Sequence, residues 1–308
     1  MSNVYAIGEI VFDIIFRNSQ PQQANPGGSM LNSAISLSRA QNAVYFIGET
    51  GNDEVGNLIK SFLIDNSVNI SYIQSYTNNK SSIALAFLNA KNDASYVFHK
   101  DFPKERLTLQ LPEPTKGDFV LFGSSFALQS EVRKPLLQLL HTAKENGATI
   151  IYDPNFRKQL TDKNELLKLV KENISLADIV RGSDEDFQNI FETNNDSELY
   201  AMVKASGCNY LIITKNTNGI NLLTPTFQKQ FIVPKIETIS TIGAGDNFNA
   251  GLIHGLLKQG ITKEKLAIVS TEEWDSIIET GVTFASHVCQ SLDNYISKEF
   301  AEEFVTQK

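Results

Sequence analysis

The chain has 308 residues, is 42% hydrophobic and carries a formal net charge of −8. That length and apolar share support a substantial core, and an acidic balance with no lysine–arginine cluster argues against nucleic-acid or acidic-membrane binding. No apolar run is long enough to cross a bilayer and Met1-Ser2-Asn3 leads straight into a strand, so a cytoplasmic protein is expected.

In chain order, Val4 to Gly8 reads as a short buried strand and Ile10 to Arg17 as a second β segment. Gly28 to Ala40 has helical spacing with Leu31, Ala34, Ile35 and Leu37 inward, and Val44 to Gly48 is the next strand. Asp53 to Asp65 predicts a helix that turns Val55, Leu58, Ile59, Phe62 and Leu63 to the core. Ser82 to Leu88 and Ala94 to Phe98, around a turn at Asn89 to Asp93, predict a hairpin with no helix beside it. These pieces make a small sheet projecting from the main body, with an antiparallel edge of the main sheet as the alternative. Phe119 to Phe122, Ile150 to Tyr152, Asp178 to Val180 and Tyr210 to Ile213 are apolar runs, each followed by a helical stretch. Such continuous apolar strands between amphipathic helices predict an α/β fold, a mostly parallel sheet covered on both faces. Cys208 and Cys289 lie far apart in apolar surroundings and read as buried thiols, and the four histidines lack metal-ligand spacing.

In open α/β sheets ligands bind at the carboxyl ends of strands, and polar residues gather there. Asp13 follows the first strand region, Asp153-Pro154-Asn155-Phe156-Arg157 follows Tyr152, and Arg181 to Asp186 follows Val180. Thr214 to Gly219 follows Ile213, and Ser240 to Gly251 follows Ile239. In that last segment Gly243, Ala244 and Gly245 let backbone N–H groups approach a ligand. Phe248, Leu252, Ile253, Leu256 and Leu257 place those groups at a helix N-terminus, which suits a phosphate. Asp246 at its mouth is a helix cap or a base beside that phosphate. A dinucleotide fingerprint would need glycine at Phe248, and Gly51 to Gly56 continues Asn57-Leu58 where a Walker loop needs lysine and a hydroxyl.

Thr241 to Asp246 matches the pattern Thr-x-Gly-Ala-Gly-Asp, and Gly27-Gly28-x-x-x-Asn32 accompanies it near the N-terminus. On these motifs the chain resembles the ribokinase-like PfkB family of sugar kinases over nearly its full length. The resemblance implies one doubly wound α/β domain over 1–308, with helices on both faces of the sheet and a small β-sheet lid from about 10–25 and 77–100. It also implies transfer of the ATP γ-phosphate to a sugar hydroxyl. Gly8-Glu9 with Asp13, Asp153-Pro154-Asn155-x-Arg157 and Phe122-Gly123-Ser124 look most like the fructokinase branch. Kinases of 2-keto-3-deoxygluconate, ribose or nucleosides are the alternatives within the family. A catalytically silent sugar- or nucleotide-binding protein is the alternative outside it.

By the same resemblance Asp246 is the base, and Gly243, Ala244 and Gly245 form the anion hole. Asp13, Gly27, Gly28, Asn32, Asn155 and Arg157 are the sugar or phosphate contacts. Ser183, Thr214, Asn216 and Gly219 serve the nucleotide, and Asp186 holds magnesium through water. Asn216 replaces a family glycine, so either its backbone tolerates the left-handed region or the loop differs slightly. Ser240 stands where the family commonly has an aspartate linked to a monovalent-cation site, so potassium activation is not implied. Glu279 to Cys289 corresponds to the helix bordering adenine. His99 and Lys100, at the end of the lid hairpin, read as surface residues of the lid, with substrate contact as the alternative. Ile83, Leu85 and Phe87 on one side of the lid, with Ala84, Ala86 and Leu88 on the other, leave it apolar on both faces, so a homodimer through the lid is expected.

Overall fold

A computed structural model describes residues 2–88, 94–156 and 162–306. The first half contains β1 (Asn3–Ile7), β2 (Val11–Arg17), β3 (Gln20–Gly27), α1 (Ser29–Arg39), β4 (Ala43–Gly51), α2 (Glu54–Asp65) and β5 (Asn69–Tyr76). It continues with β6 (Ile83–Leu88), β7 (Ala94–His99), β8 (Phe119–Gly123), α3 (Ser130–Glu145) and β9 (Thr149–Asp153). The second half adds α4 (Lys163–Leu176), β10 (Ile179–Ser183), α5 (Asp184–Phe191), α6 (Asp196–Ala205), β11 (Leu211–Thr214), β12 (Ile220–Leu223) and β13 (Gln228–Phe231). Three helices close the chain: α7 (Ala244–Lys258), α8 (Thr271–Val288) and α9 (Lys298–Thr306).

Among the described residues the main sheet has nine strands in the order β13-β12-β11-β10-β9-β8-β1-β4-β5, antiparallel only at β12 and β13. Its parallel strands are apolar at successive positions because both faces are covered. In β1, Val4 and Ala6 join one core with α1, α7 and α8, while Tyr5 and Ile7 join the other with α3 to α6. The chain leaves β1 toward β4 on one side and finds β8 on the other. That reversal opens a crevice at the carboxyl ends of the strands.

A separate sheet runs β3-β2-β6-β7, in which a parallel β2–β6 pair joins two antiparallel ones. Its register puts Phe12, Ile14, Phe16, Leu85, Phe87 and Val97 on one face and Asp13, Ala84, Ala86, Tyr96 and Phe98 on the other. The expected turn at Asn89 to Asp93 lies outside the described residues. One packing expectation needs correction. On α2 the buried stripe is Ile59 and Leu63 with Val55 and Phe62 against it, and Leu58 is 55% exposed. Leu58 sits about 90° round the helix from the centre of that stripe, so its spacing to Val55 alone misleads.

Candidate active site

Two cavities open at the carboxyl ends of the strands. One, of about 550 Å³, is lined by β10, β11, the start of α7 and the side of α8. The other, of about 110 Å³, lies between the small sheet, the start of α1 and the same turn. Asn155, Ile242, Gly243 and Asp246 line both, so the cavities meet at the aspartate.

Asp246 is 8% exposed in the first turn of α7. Asn32 Nδ2 donates to its Oδ2 at 2.8 Å, Asn155 Nδ2 to its Oδ1 at 3.5 Å, and Ser33 Oγ to its backbone carbonyl at 2.7 Å. The cap of α7 is Gly243, in the left-handed region at φ 79°. A Cβ there would stand 2.9 Å from the Asn294 carbonyl, so glycine is required twice over. Asn247 Nδ2 fixes this turn by donating to the Gly243 and Asn294 carbonyls. The helix therefore turns its N-terminal N–H groups and positive dipole end toward the space between the two cavities, with the Ala244 N–H donating to the Thr241 carbonyl at 3.2 Å.

At the smaller cavity stand Asp13, Gly28, Asn32 and Asn155, together with Glu9, Ser124, Asn294 and Lys100. Gly27 does not line it. A Cβ at Gly27 would lie 2.0 Å from Asp13 Oδ2, so this glycine makes room for the carboxylate. Gly28, at φ 132°, lets the Glu9 carbonyl reach the start of α1, where a Cβ would meet it at 2.3 Å. Lys100, read as a lid-surface residue able to touch substrate, is exposed yet lines the cavity and pairs with Glu9 at 2.6 Å. His99 is exposed. Arg157 lies outside the described residues.

At the larger cavity stand Ser183, Asp186, Thr214, Asn216 and Gly219, with Val282, Ala285, Ser286 and Cys289 from the helix expected beside adenine. Asn216 has φ 49°, the left-handed backbone of the first alternative for its replacement of glycine. Asp186 closes a capping box with Ser183: its Oδ2 accepts from Ser183 N at 2.9 Å and Oγ at 2.6 Å, and its Oδ1 from Phe156 N at 2.7 Å. A carboxylate has about four acceptor sites, so three donors leave capacity for one further contact. Among the described residues no group of three or more acidic, histidine or cysteine side chains could hold a metal directly. Ser240 brings a hydroxyl that accepts from Ile242 N at 3.1 Å, and Ile239 N and Ser240 N both donate to the Cys289 carbonyl. Cys289, expected to be buried, is instead half-buried and lines this cavity, and its partial burial raises the thiol above its ordinary pKa.

Arg181 was not singled out from sequence. It is 5% exposed, donates to Asp153 Oδ2 at 2.8 Å and Thr214 Oγ1 at 2.7 Å, and packs so close to Gly245 that a Cβ there would be 2.6 Å from its Nη1. Its charge thus lies against the turn that opens α7. A cation inside an apolar strand, Ile179-Val180-Arg181, was the available signal, because such a charge must find a partner.

A doubly wound sheet with a small separate sheet over a glycine-rich helix start is the architecture of ribokinase-like kinases. Residues 1–299 match the pfkB family carbohydrate kinase, and the chain belongs to that family. It is 28% identical over 270 residues to a fructokinase of Escherichia coli, covering 86% of this chain and 87% of the relative. It is 23% identical over 259 residues to an aminoimidazole riboside kinase of Salmonella typhimurium, covering 83% and 81%. A double mutant of Vibrio cholerae fructokinase, in its fructose-, ADP- and potassium-bound form, superposes with a TM-score of 0.86 at 22% identity over 99% of this chain and 98% of that one. Aminoimidazole riboside kinase from Salmonella enterica, complexed with aminoimidazole riboside and an ATP analogue, does so at 0.84 and 20% identity over 99% and 100%.

Proposed function

We propose that this chain is an ATP-dependent fructokinase, a cytoplasmic homodimer that phosphorylates a terminal hydroxyl of fructose. The observation that carries this reading is Asp246, whose carboxylate lines the large and the small cavity at once. The 550 Å³ cavity has the size and backbone donors for a nucleotide, and the 110 Å³ cavity suits a small polyol. Asp13, Asn32 and Asn155 hold the sugar hydroxyls, and Gly28 brings backbone close to them. Asp246 accepts the proton of the attacking hydroxyl while the backbone N–H groups from Gly243 to Asp246 receive charge from the transferring phosphoryl group. Arg157 supplies a permanent charge to a phosphate. Ser183, Thr214, Asn216 and Gly219 cradle the nucleotide, with Val282 and Ala285 against adenine. Magnesium, arriving with the nucleotide, would neutralise phosphate oxygens, and the spare acceptor capacity of Asp186 holds one of its waters. The small sheet acts as the lid.

Fructose is favoured over the other sugars by the identity to the Escherichia coli fructokinase, while the smaller cavity suits any small polyol. The test is a coupled ADP-release assay over fructose, ribose, 2-keto-3-deoxygluconate, a nucleoside and aminoimidazole riboside. Fructose should give the highest kcat/KM, by at least about tenfold, roughly 1.4 kcal/mol of transition-state binding. Turnover confined to another sugar rejects fructose, and binding without ADP release rejects catalysis.

Dimerisation rests on the outer lid face. Phe87 is 41% and Val97 46% exposed there, with Phe16 stacked on Phe87 at 5.1 Å. An apolar sheet face of this kind favours a second copy. Light scattering at micromolar concentration should give a dimer for the wild type and a monomer for Phe87→Glu; a monomeric wild type overturns the assembly.

A further inference from the structure

We infer that the Glu9–Lys100 ion pair makes the smaller cavity selective for uncharged sugars and against sugar acids and sugar phosphates. The inference deepens the fructokinase reading and rests on it. Lys100 immediately follows the strand β7 of the small sheet, Glu9 lies between β1 and β2, and both line the cavity. The ammonium sits 2.6 Å from one carboxylate oxygen of Glu9 and 2.8 Å from the other. The Phe98 ring, 5.1 Å away, backs the ammonium. Glu9 is itself held in place, since its carbonyl packs against the bare Cα of Gly28.

Lys100 is therefore a cation that lines a sugar cavity yet offers a substrate little net charge. Left alone, an ammonium there would attract a carboxylate or phosphate at the far end of a sugar whose terminal hydroxyl faces Asp246. Glu9 cancels that attraction, and the carboxylates of Asp13 and Asp246 on the same walls repel an anion. The pair is thus a rejecting element, because an anionic sugar must either displace Glu9 or lie beside it.

The experiment compares wild type, Glu9→Gln, Glu9→Asp, Lys100→Met and the Glu9→Gln/Lys100→Met double variant. The substrates are fructose, fructose 1-phosphate and 2-keto-3-deoxygluconate, the last two carrying their anion opposite a free terminal hydroxyl. Glu9→Gln should raise the ratio of kcat/KM for the anionic sugars over fructose at least tenfold, chiefly through KM. Glu9→Asp should keep the wild-type ratio, and Lys100→Met, alone or combined, should abolish the gain. A purely structural role would depress every substrate together and leave the ratio where it was. A ratio unmoved in Glu9→Gln while the wild type turns over fructose overturns the role of the pair alone. A wild type that prefers the anionic sugars overturns both the pair's role and the fructose reading. Calorimetric titration of the same sugars into the same variants reads the binding ratio even without phosphoryl transfer, so loss of catalysis does not shelter the inference.

Discussion

Asp246→Asn is expected to lower kcat by about 10²–10⁴, some 3–5 kcal/mol of transition-state stabilisation, while ATP binding stays measurable. Asparagine keeps the size and one acceptor oxygen but cannot take the proton. Because phosphoryl transfer passes through a loose transition state with late proton movement, the lower half of that range is the better expectation. A helix-capping role predicts a different result, a loss of about 0.5–2 kcal/mol in stability with kcat little changed. Geometry favours the first. The cap is Gly243, and the Asp246 carboxylate accepts from Asn32 and Asn155 across the cleft. Single-turnover kinetics with thermal melts separates the two, and a wild-type kcat with a lowered Tm would remove Asp246 from the chemistry.

The parts of this site that depend on backbone geometry were legible before any coordinates. Gly243 was read as a bare residue at the start of a helix and proves to be its cap, and Asn216, read as tolerant of the left-handed region in place of glycine, has a positive φ. The strands were legible because burial on both faces leaves uninterrupted apolar runs such as Phe119 to Phe122. The pairing of long side chains from distant segments was not. Nothing local to Lys100 announces that it crosses to Glu9, 91 positions away, and nothing near Gly27 says that its missing Cβ shelters Asp13. Asp186 shows the same limit from the other side. Its place in the family signalled a metal, and it lines the larger cavity while closing the capping box with Ser183.

Arg181→Met should cost about 3–5 kcal/mol of stability at neutral pH, since it strips a fully buried carboxylate of its counter-charge. Asp153 has no exposed surface, and among the described residues its side-chain donors besides Arg181 are neutral: Asn249 Nδ2 at 2.6 Å and Asn155 N at 2.9 Å. Burial already raises its pKa above the ordinary 3.8 despite the opposing pull of Arg181, so losing the guanidinium pushes it further up. The sign of the pH dependence follows. Between the unfolded pKa and the raised folded one, the native state binds more protons, so the contribution to stability falls as pH rises through that window. The penalty for Arg181→Met, measured against wild type at each pH, should therefore be smaller near pH 4.5 than near pH 7.5. Combining it with Asp153→Asn should recover much of the loss, because the buried charge leaves with its partner. That refolded double variant is the informative enzyme. It retains the glycine turn but has no cation against Gly245, and its kcat should stay about tenfold or more below wild type if the guanidinium field reaches the transferring phosphoryl group. Denaturant melts at the two pH values decide the first claim, with equal penalties refuting it. A double variant with wild-type kcat would confine Arg181 to holding Asp153 in place.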